Sequence, residues 1–107
     1  MWDDRESRRM GTDAELLLYR EGAPAGSGKV RNVSLDGLFL ETNTPDLDRD
    51  DHVELEYRSL SGSRIYRFNA LVVHKSDDGI GLSVERDDKR AADGIRALMG
   101  IHKRVHH

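Results

Sequence analysis

Two short patterns in the first third of the chain carry side chains that can bind an anionic ligand. The first is Arg5-Glu6-Ser7-Arg8-Arg9, in which Arg5 and Arg9 have the spacing Arg-x-x-x-Arg. A guanidinium group is a planar fork of N–H donors that matches two oxygens of a phosphate. Such a pair also arises by chance in charged segments, and the alternative interpretation is a solvated terminal tail.

The second pattern runs from Asn32 to Gly37 and has the form Asn-x-Ser-x-x-Gly; we call it the hairpin motif. The Asn32 amide and the Ser34 hydroxyl are short groups that donate and accept hydrogen bonds. Gly37 permits a turn and the close approach of another backbone. The alternative interpretation is turn chemistry alone, in which Asn and Ser bond to neighbouring backbone.

The elements that position these patterns are predicted to be β-strands, because apolar and polar residues alternate through most of the chain after Ala14. The segment 21–28 contains three glycines and Pro24 and predicts a loop. The aspartate-rich segment 43–51 predicts a second, solvated loop. The strands are predicted over residues 14–20, 29–32, 38–42, 52–58, 64–75 and 80–85.

The last part of the chain has helical spacing. Its apolar or amphipathic residues recur every three or four positions, which predicts an amphipathic helix over 87–105 with Asp87 or Asp88 as its cap. Gly94 and Gly100 each cost this helix roughly 1 kcal/mol relative to Ala, so it should depend on packing. The residues with this spacing are Ala91, Ile95, Leu98, Met99, His102 and Val105.

Six short strands and a terminal helix predict an all-β fold, a six-stranded antiparallel β-barrel with a C-terminal α-helix, since closure removes the edges of the sheet. We expect a single domain over 1–107, with a flexible arm at 1–13, the barrel at 14–86 and the helix at 87–105. The same pattern fits an oligonucleotide-binding barrel or another small barrel, so the fold does not determine the function.

Composition excludes several classes of function. The 107 residues include 17 Lys and Arg against 20 Asp and Glu, giving a net charge of −3. We therefore expect no nucleic-acid partner, and any anion site must be local. There are no cysteines for disulfides or thiolate metal sites. No apolar run reaches the roughly 18 residues of a membrane span, and no signal peptide is present, so we expect a soluble cytoplasmic protein without membrane insertion.

Patterns typical of catalysis and metal binding are not found. The five histidines lack the spacing of metal ligands, and the run of aspartates between Asp46 and Asp51 lacks the Gly and the final Glu of a calcium loop. No P-loop or nucleophile elbow occurs. We expect no catalytic residue, no metal and no cofactor, and a protein that is not an enzyme.

Taken together, in this order and separation, the two patterns resemble the two signatures of the PilZ domain family, bacterial receptors for cyclic di-GMP. Arg5 and Arg9 stand in the place of the arm arginines, whereas Asn32, Ser34 and Gly37 match the second signature. The segments 69–74 and 79–84 also look like the last two strands of the family. The resemblance thus covers nearly the whole chain.

The resemblance implies a cyclic di-GMP receptor whose arm folds over the barrel. The residues that would contact the ligand are Arg5, Arg9, Asn32, Ser34 and Gly37. Arg8 and His74 are additional candidate contacts; the alternatives are a solvated arginine and a partly buried strand histidine. The resemblance further implies an adaptor that changes its docking to an unidentified effector protein when the ligand binds.

Two other functions compete with this one. A PilZ-like scaffold would bind proteins but no nucleotide, although the match at both signatures argues against it. A barrel that binds single-stranded nucleic acid needs a basic groove with stacking aromatics. The negative net charge and only six aromatic residues, mostly at core-like positions, disfavour that function.

Overall fold

The computed structural model describes residues 14–43, 46–59 and 62–106, with side chains through Gly100. Six antiparallel strands close into a barrel in the order β1-β2-β3-β6-β5-β4, which confirms the predicted architecture. The elements are β1 Glu15–Arg20, β2 Ala23–Ser34, β3 Gly37–Glu41, β4 His52–Arg58, β5 Ile65–Lys75, β6 Gly79–Ser83 and the helix α1 Lys89–His106.

The prediction of a loop over 21–28 is wrong, because β2 already begins at Ala23. The connection from β1 is only Glu21 and Gly22, whose φ angles of 53° and 82° suit a two-residue hairpin turn. Pro24 is tolerated in this strand because the β1–β2 register shifts there, from Leu18 opposite Gly26 to Tyr19 opposite Pro24. Proline cannot donate to the ladder, and such irregularities are where strands accept it.

The core consists of the side chains that point into the barrel, and it determines which residues remain on the outside. Burying one large aliphatic or aromatic side chain contributes about 1.5–3 kcal/mol, so the alternating pattern holds each strand in register. The buried strand residues are Leu16, Leu18, Val30, Leu38, Leu40, Val53, Leu55, Tyr57, Phe68, Ala70, Val72, Ile80 and Leu82.

Helix α1 begins with the predicted cap. The Asp88 Oδ1 accepts hydrogen bonds from the backbone N–H of Arg90 at 3.0 Å and of Ala91 at 3.2 Å. Ala91, Ile95 and Leu98 are buried. His102 and Val105 are also predicted to belong to the amphipathic pattern of this helix, but their side chains lie outside the described ones.

At Gly94, helix α1 lies close to the barrel. A Cβ atom at this position would lie 2.4 Å from Cε1 of Phe68, so the residue that weakens the isolated helix lets it pack onto β5. No helix in the described part of the chain combines the length and the apolar character needed to cross a membrane.

Candidate ligand-binding face

The hairpin motif lies where β2 turns into β3, and its residues continue as rows across four strands. The outward positions alternate with buried leucines and Ile80 along β3 and β6. We call the surface formed by these two rows, together with Arg31, Glu41 and Gly79, the glycine face. The rows are Asn32-Phe39-Gly81-His74 and Ser34-Gly37-Ser83-Leu71.

Three of the six outward positions on β3 and β6 are glycines, so backbone alternates with side chains on this face; Gly37 and Gly79 are buried and Gly81 is partly exposed. A Cβ at Gly37 would lie 2.0 Å from the carbonyl oxygen of Leu82, and one at Gly79 would lie 2.1 Å from that of Leu40. The two strands thus approach each other too closely for larger residues. Gly37 does not have a positive φ, so the need for glycine there is the close approach.

Gly81 has a different neighbour, the side chain of His74 on β5. A Cβ at Gly81 would lie 3.1 Å from the His74 Cβ, so the histidine borders the backbone at Gly81. The His74 side chain is exposed. The structure therefore has an exposed strand histidine at position 74, and not the partly buried one considered as the alternative.

Ser34 and Asp36 tie the turn together. The Ser34 hydroxyl accepts a hydrogen bond from the Asp36 N–H at 3.3 Å and donates one to the Gly37 carbonyl at 3.5 Å. The turn chemistry considered from the sequence is thus present, and the exposed hydroxyl lies at the edge of the glycine face. A hydroxyl oxygen has two lone pairs, and only one of those of Ser34 accepts a hydrogen bond in the turn. The other can accept one from a ligand, so turn formation and ligand binding are compatible.

The Asp36 carboxylate links this turn to the segment before α1. The Arg86 Nε donates to Oδ1 at 2.6 Å and its Nη2 donates to Oδ2 at 3.2 Å. The Val84 N–H also donates to the Asp36 carbonyl at 2.9 Å. The hydrogen bond from Arg86 lowers the pKa of the Asp36 carboxyl below its ordinary value.

Arg31 is a member of the face that sequence reasoning missed. The β2–β3 register shifts between Val30 and Asn32, and the Arg31 guanidinium carbon lies 5.0 Å from the centre of the Phe39 ring. Its Nε donates to Glu41 Oε2 at 3.1 Å. Because Phe39 and Glu41 point outward, the bulge brings the Arg31 guanidinium to the outer surface of the barrel. Asn32, the next residue in the sequence, lies on the same side. Strict alternation places these two neighbours on opposite sides, so no sequence signal exposes this arrangement.

Asn32 has the property expected of a ligand contact. It is half-buried, yet no hydrogen bond to its side-chain amide is made by any of the described residues. A half-buried amide without a partner loses free energy that a bound ligand can restore. The same part of the chain brings together no three His, Asp or Glu side chains able to hold a metal ion.

Residues 3–100 match the family model described as the PilZ domain. The chain belongs to the PilZ domain family. PilZ domains are binding and adaptor domains and are generally receptors for cyclic di-GMP. The family predicted from the two signatures is therefore confirmed.

Two solved structures share the PilZ fold of this chain. The PilZ domain of CeSA from a cellulose-synthesizing bacterium superposes with a TM-score of 0.63 at 14% identity, covering 90% of this chain and 94% of the other. An uncharacterized Legionella protein gives a TM-score of 0.54 at 12% identity, with 86% and 90% covered. At these identities the likeness shows the fold alone. No curated protein matches the chain.

The structure brings part of the predicted PilZ ligand site together. Asn32, Ser34, Gly37 and His74 all lie in the two rows of the glycine face. The predicted arm contacts Arg5, Arg8 and Arg9 lie outside the described residues. Their part in the site stays a prediction.

Proposed function

We propose that this PilZ domain is a cyclic di-GMP receptor that holds its ligand on the glycine face, with Arg5 and Arg9 of the N-terminal arm closing over it. The observation that carries the proposal is the half-buried Asn32 amide, which has no partner among the described residues and lies in one row with Phe39, Gly81 and His74. A flat purine can approach the strands at Gly81, which is only partly buried and carries no side chain, with the Phe39 ring beside it.

The chemistry of the ligand matches the groups on and beside the glycine face. Cyclic di-GMP carries two phosphate charges and two guanines, whose edges both accept and donate hydrogen bonds. The amide of Asn32 and the hydroxyl of Ser34 suit a guanine edge or a phosphate. Arg31 adds a cation held against the Phe39 ring at 5.0 Å, and Arg5 and Arg9 suit the phosphates or the guanine O6 and N7 atoms.

Ligand binding in this proposal changes the surface that a partner protein meets. Closure of the arm covers part of the glycine face and orders a charged segment, at a cost in conformational entropy that the arginine contacts offset. The Asp36–Arg86 ion pair connects the motif turn to the residues before α1. The receptor therefore acts as an adaptor, and an effector protein docks differently to the free and bound forms.

Calorimetric titration of the full chain with cyclic di-GMP tests the proposal. We expect saturable binding, which Arg9→Ala weakens by roughly 10- to 100-fold because hydrogen bonds to charged groups contribute about 1.5–3 kcal/mol. Arg49→Ala, an exposed arginine outside the glycine face, is the matched control and should bind like the unaltered chain. A scaffold that does not bind nucleotide would give no heat with any of the three proteins, and that result would refute the proposal.

A further inference from the structure

A pocket lies away from the glycine face, where the start of β5 pairs with β4 near the first turn of α1. Its volume is about 310 Å³, roughly the share of liquid volume taken by ten water molecules. None of the residues in the two rows of the glycine face lines it. The lining residues are Arg64, Ile65, Tyr66, Arg67, Arg90 and Asp93.

Two of the arginines in this pocket are held in place by aromatic rings. The Arg64 guanidinium carbon lies 5.2 Å from the centre of the Tyr66 ring, and that of Arg67 lies 5.0 Å from the centre of the Tyr19 ring. A guanidinium held over a ring has five N–H groups, and those not already bonded can donate to a ligand. These side chains thus lose less conformational entropy when an anion binds.

The arginines differ in how much of their charge is already balanced. The Arg67 Nε donates to Glu56 Oε1 at 2.8 Å. Neither Arg64 nor Arg90 forms an ion pair with a described carboxylate. Three arginines set against Asp93 and the Glu56 carboxylate that pairs with Arg67 leave a formal charge of +1, although the whole chain carries −3.

We propose that this pocket binds a phosphate monoester, with its dianionic group at Arg64 and Arg90. A phosphate monoester carries a charge of about −1.5 to −2 near neutral pH and presents three acceptor oxygens, which suits the positive sign and the N–H donors of the lining. The volume exceeds the needs of one phosphate group, so an organic part fits beside it. Ile65, whose side chain is 54% exposed, and the Tyr66 ring offer that part an apolar contact.

This site is independent of the proposed cyclic di-GMP site, and it can be probed by NMR on the full chain labelled with ¹⁵N. The arginine Nε–Hε signals are followed while phenyl phosphate is added at constant ionic strength and pH 7.5. We expect the signals of Arg64, Arg67 and Arg90 to shift along one common saturating curve. Phenyl sulfate, which has the same ring and a single charge, should bind more weakly.

Two variants locate the binding. Arg90→Gln should weaken phenyl phosphate binding by roughly two- to fivefold, the effect of an exposed charge pair, and leave cyclic di-GMP affinity unchanged. Arg96→Gln lies on the same helix, exposed and outside this pocket, and should change neither affinity. Shifts that do not saturate, equal shifts with phenyl sulfate, or equal losses in both variants would each overturn the proposal.

Discussion

The two sides of this barrel handle polar groups in contrasting ways. On the glycine face, half of the outward positions on β3 and β6 lack a side chain and the Asn32 amide has no described partner. On the outer surface of β1, β4 and the start of β5, which we call the arginine face (Leu17, Tyr19, Glu56, Arg58 and Arg67), long side chains cover the strands and pair with one another. One scaffold thus carries a surface with an unpaired amide among its described residues and a surface whose central carboxylate is fully paired.

Glu56 shows how complete the arginine face is. Its side chain points outward from β4, yet only 4% of the residue is exposed. Oε1 accepts a hydrogen bond from the Nε of Arg67 at 2.8 Å, and Oε2 accepts one from the Nε of Arg58 at 3.1 Å. The hydrogen bond from Arg67 lowers the pKa of the Glu56 carboxyl below its ordinary value. Both oxygens of the Glu56 carboxylate are occupied in this way, so this carboxylate has little polar capacity left for a ligand.

The largest expected effect comes from adding a side chain at a glycine of the glycine face. Gly37→Ala places a Cβ 2.0 Å from the Leu82 carbonyl oxygen, so β3 and β6 must separate. We expect a loss of unfolding free energy at the upper end of about 1–3 kcal/mol, measured by urea denaturation.

The matched control for that substitution is Gly100→Ala on α1, where a Cβ meets no atom within 4 Å. It should be neutral or stabilise the protein by up to about 1 kcal/mol. Equal stability of the two variants would show that the strands do not require glycine at position 37.

The second effect separates binding from stability. Asn32→Ala removes an amide with no described partner, so the unfolding free energy should change little, whereas cyclic di-GMP affinity should fall roughly tenfold. Calorimetry and urea denaturation measure the two quantities on the same protein. Asn69→Ala, an exposed asparagine on β5, is the control and should alter neither. A loss of stability without a loss of affinity in Asn32→Ala would give this residue a structural role only.

The third effect is the acid sensitivity of the arginine face. Because the native pKa of Glu56 is lowered, its ion pairs stabilise the fold above the unfolded pKa, and this contribution disappears as pH falls through the native pKa. Glu56→Gln should cost about 1 kcal/mol at pH 7, since both arginines are largely exposed. The difference from the unaltered chain should shrink as pH falls below the ordinary glutamate pKa of about 4.3. A difference in unfolding free energy that is constant with pH would contradict this account.

The smallest effect concerns the link between the motif turn and the segment before α1. Arg86→Ala should leave the melting temperature nearly unchanged, because both partners are 68% exposed. The pKa of Asp36 should rise toward its ordinary value, since the Arg86 hydrogen bond that lowers it is lost. A carboxyl-detected NMR titration measures this change. An Asp36 pKa that stays the same in the variant would show that the ion pair does not form in solution.

Features with a local physical cause could be predicted from the sequence. Strand β4 matches its predicted range of 52–58 because Val53, Leu55 and Tyr57 alternate without interruption. The Asp88 cap follows from the first four N–H groups of a helix, which have no acceptor within it; the Asp88 carboxylate accepts from two of them. The family followed from two signatures whose order and separation are more specific than either alone.

Features that depend on distant or irregular contacts could not be predicted. Pro24 and its neighbouring glycines indicate a loop until the register shift against β1 is known. The bulge at Arg31 breaks the two-residue alternation of a strand, so the alternation of apolar and polar residues does not predict it. Asp36 and Arg86 are separated by 50 positions, so no local pattern pairs them, and the need for glycine at 37 arises from β6 rather than from the turn.

The central claim is that the glycine face is the ligand surface, and chemical-shift mapping of ¹⁵N-labelled chain with cyclic di-GMP tests it most directly. We expect saturating shifts of the Asn32 side-chain amide and of the backbone amides of Gly37, Gly79 and Gly81, with those of Leu17, Glu56 and Arg67 nearly unmoved. Shifts concentrated on the arginine face, or none at a ligand concentration well above that of the protein, would contradict the account.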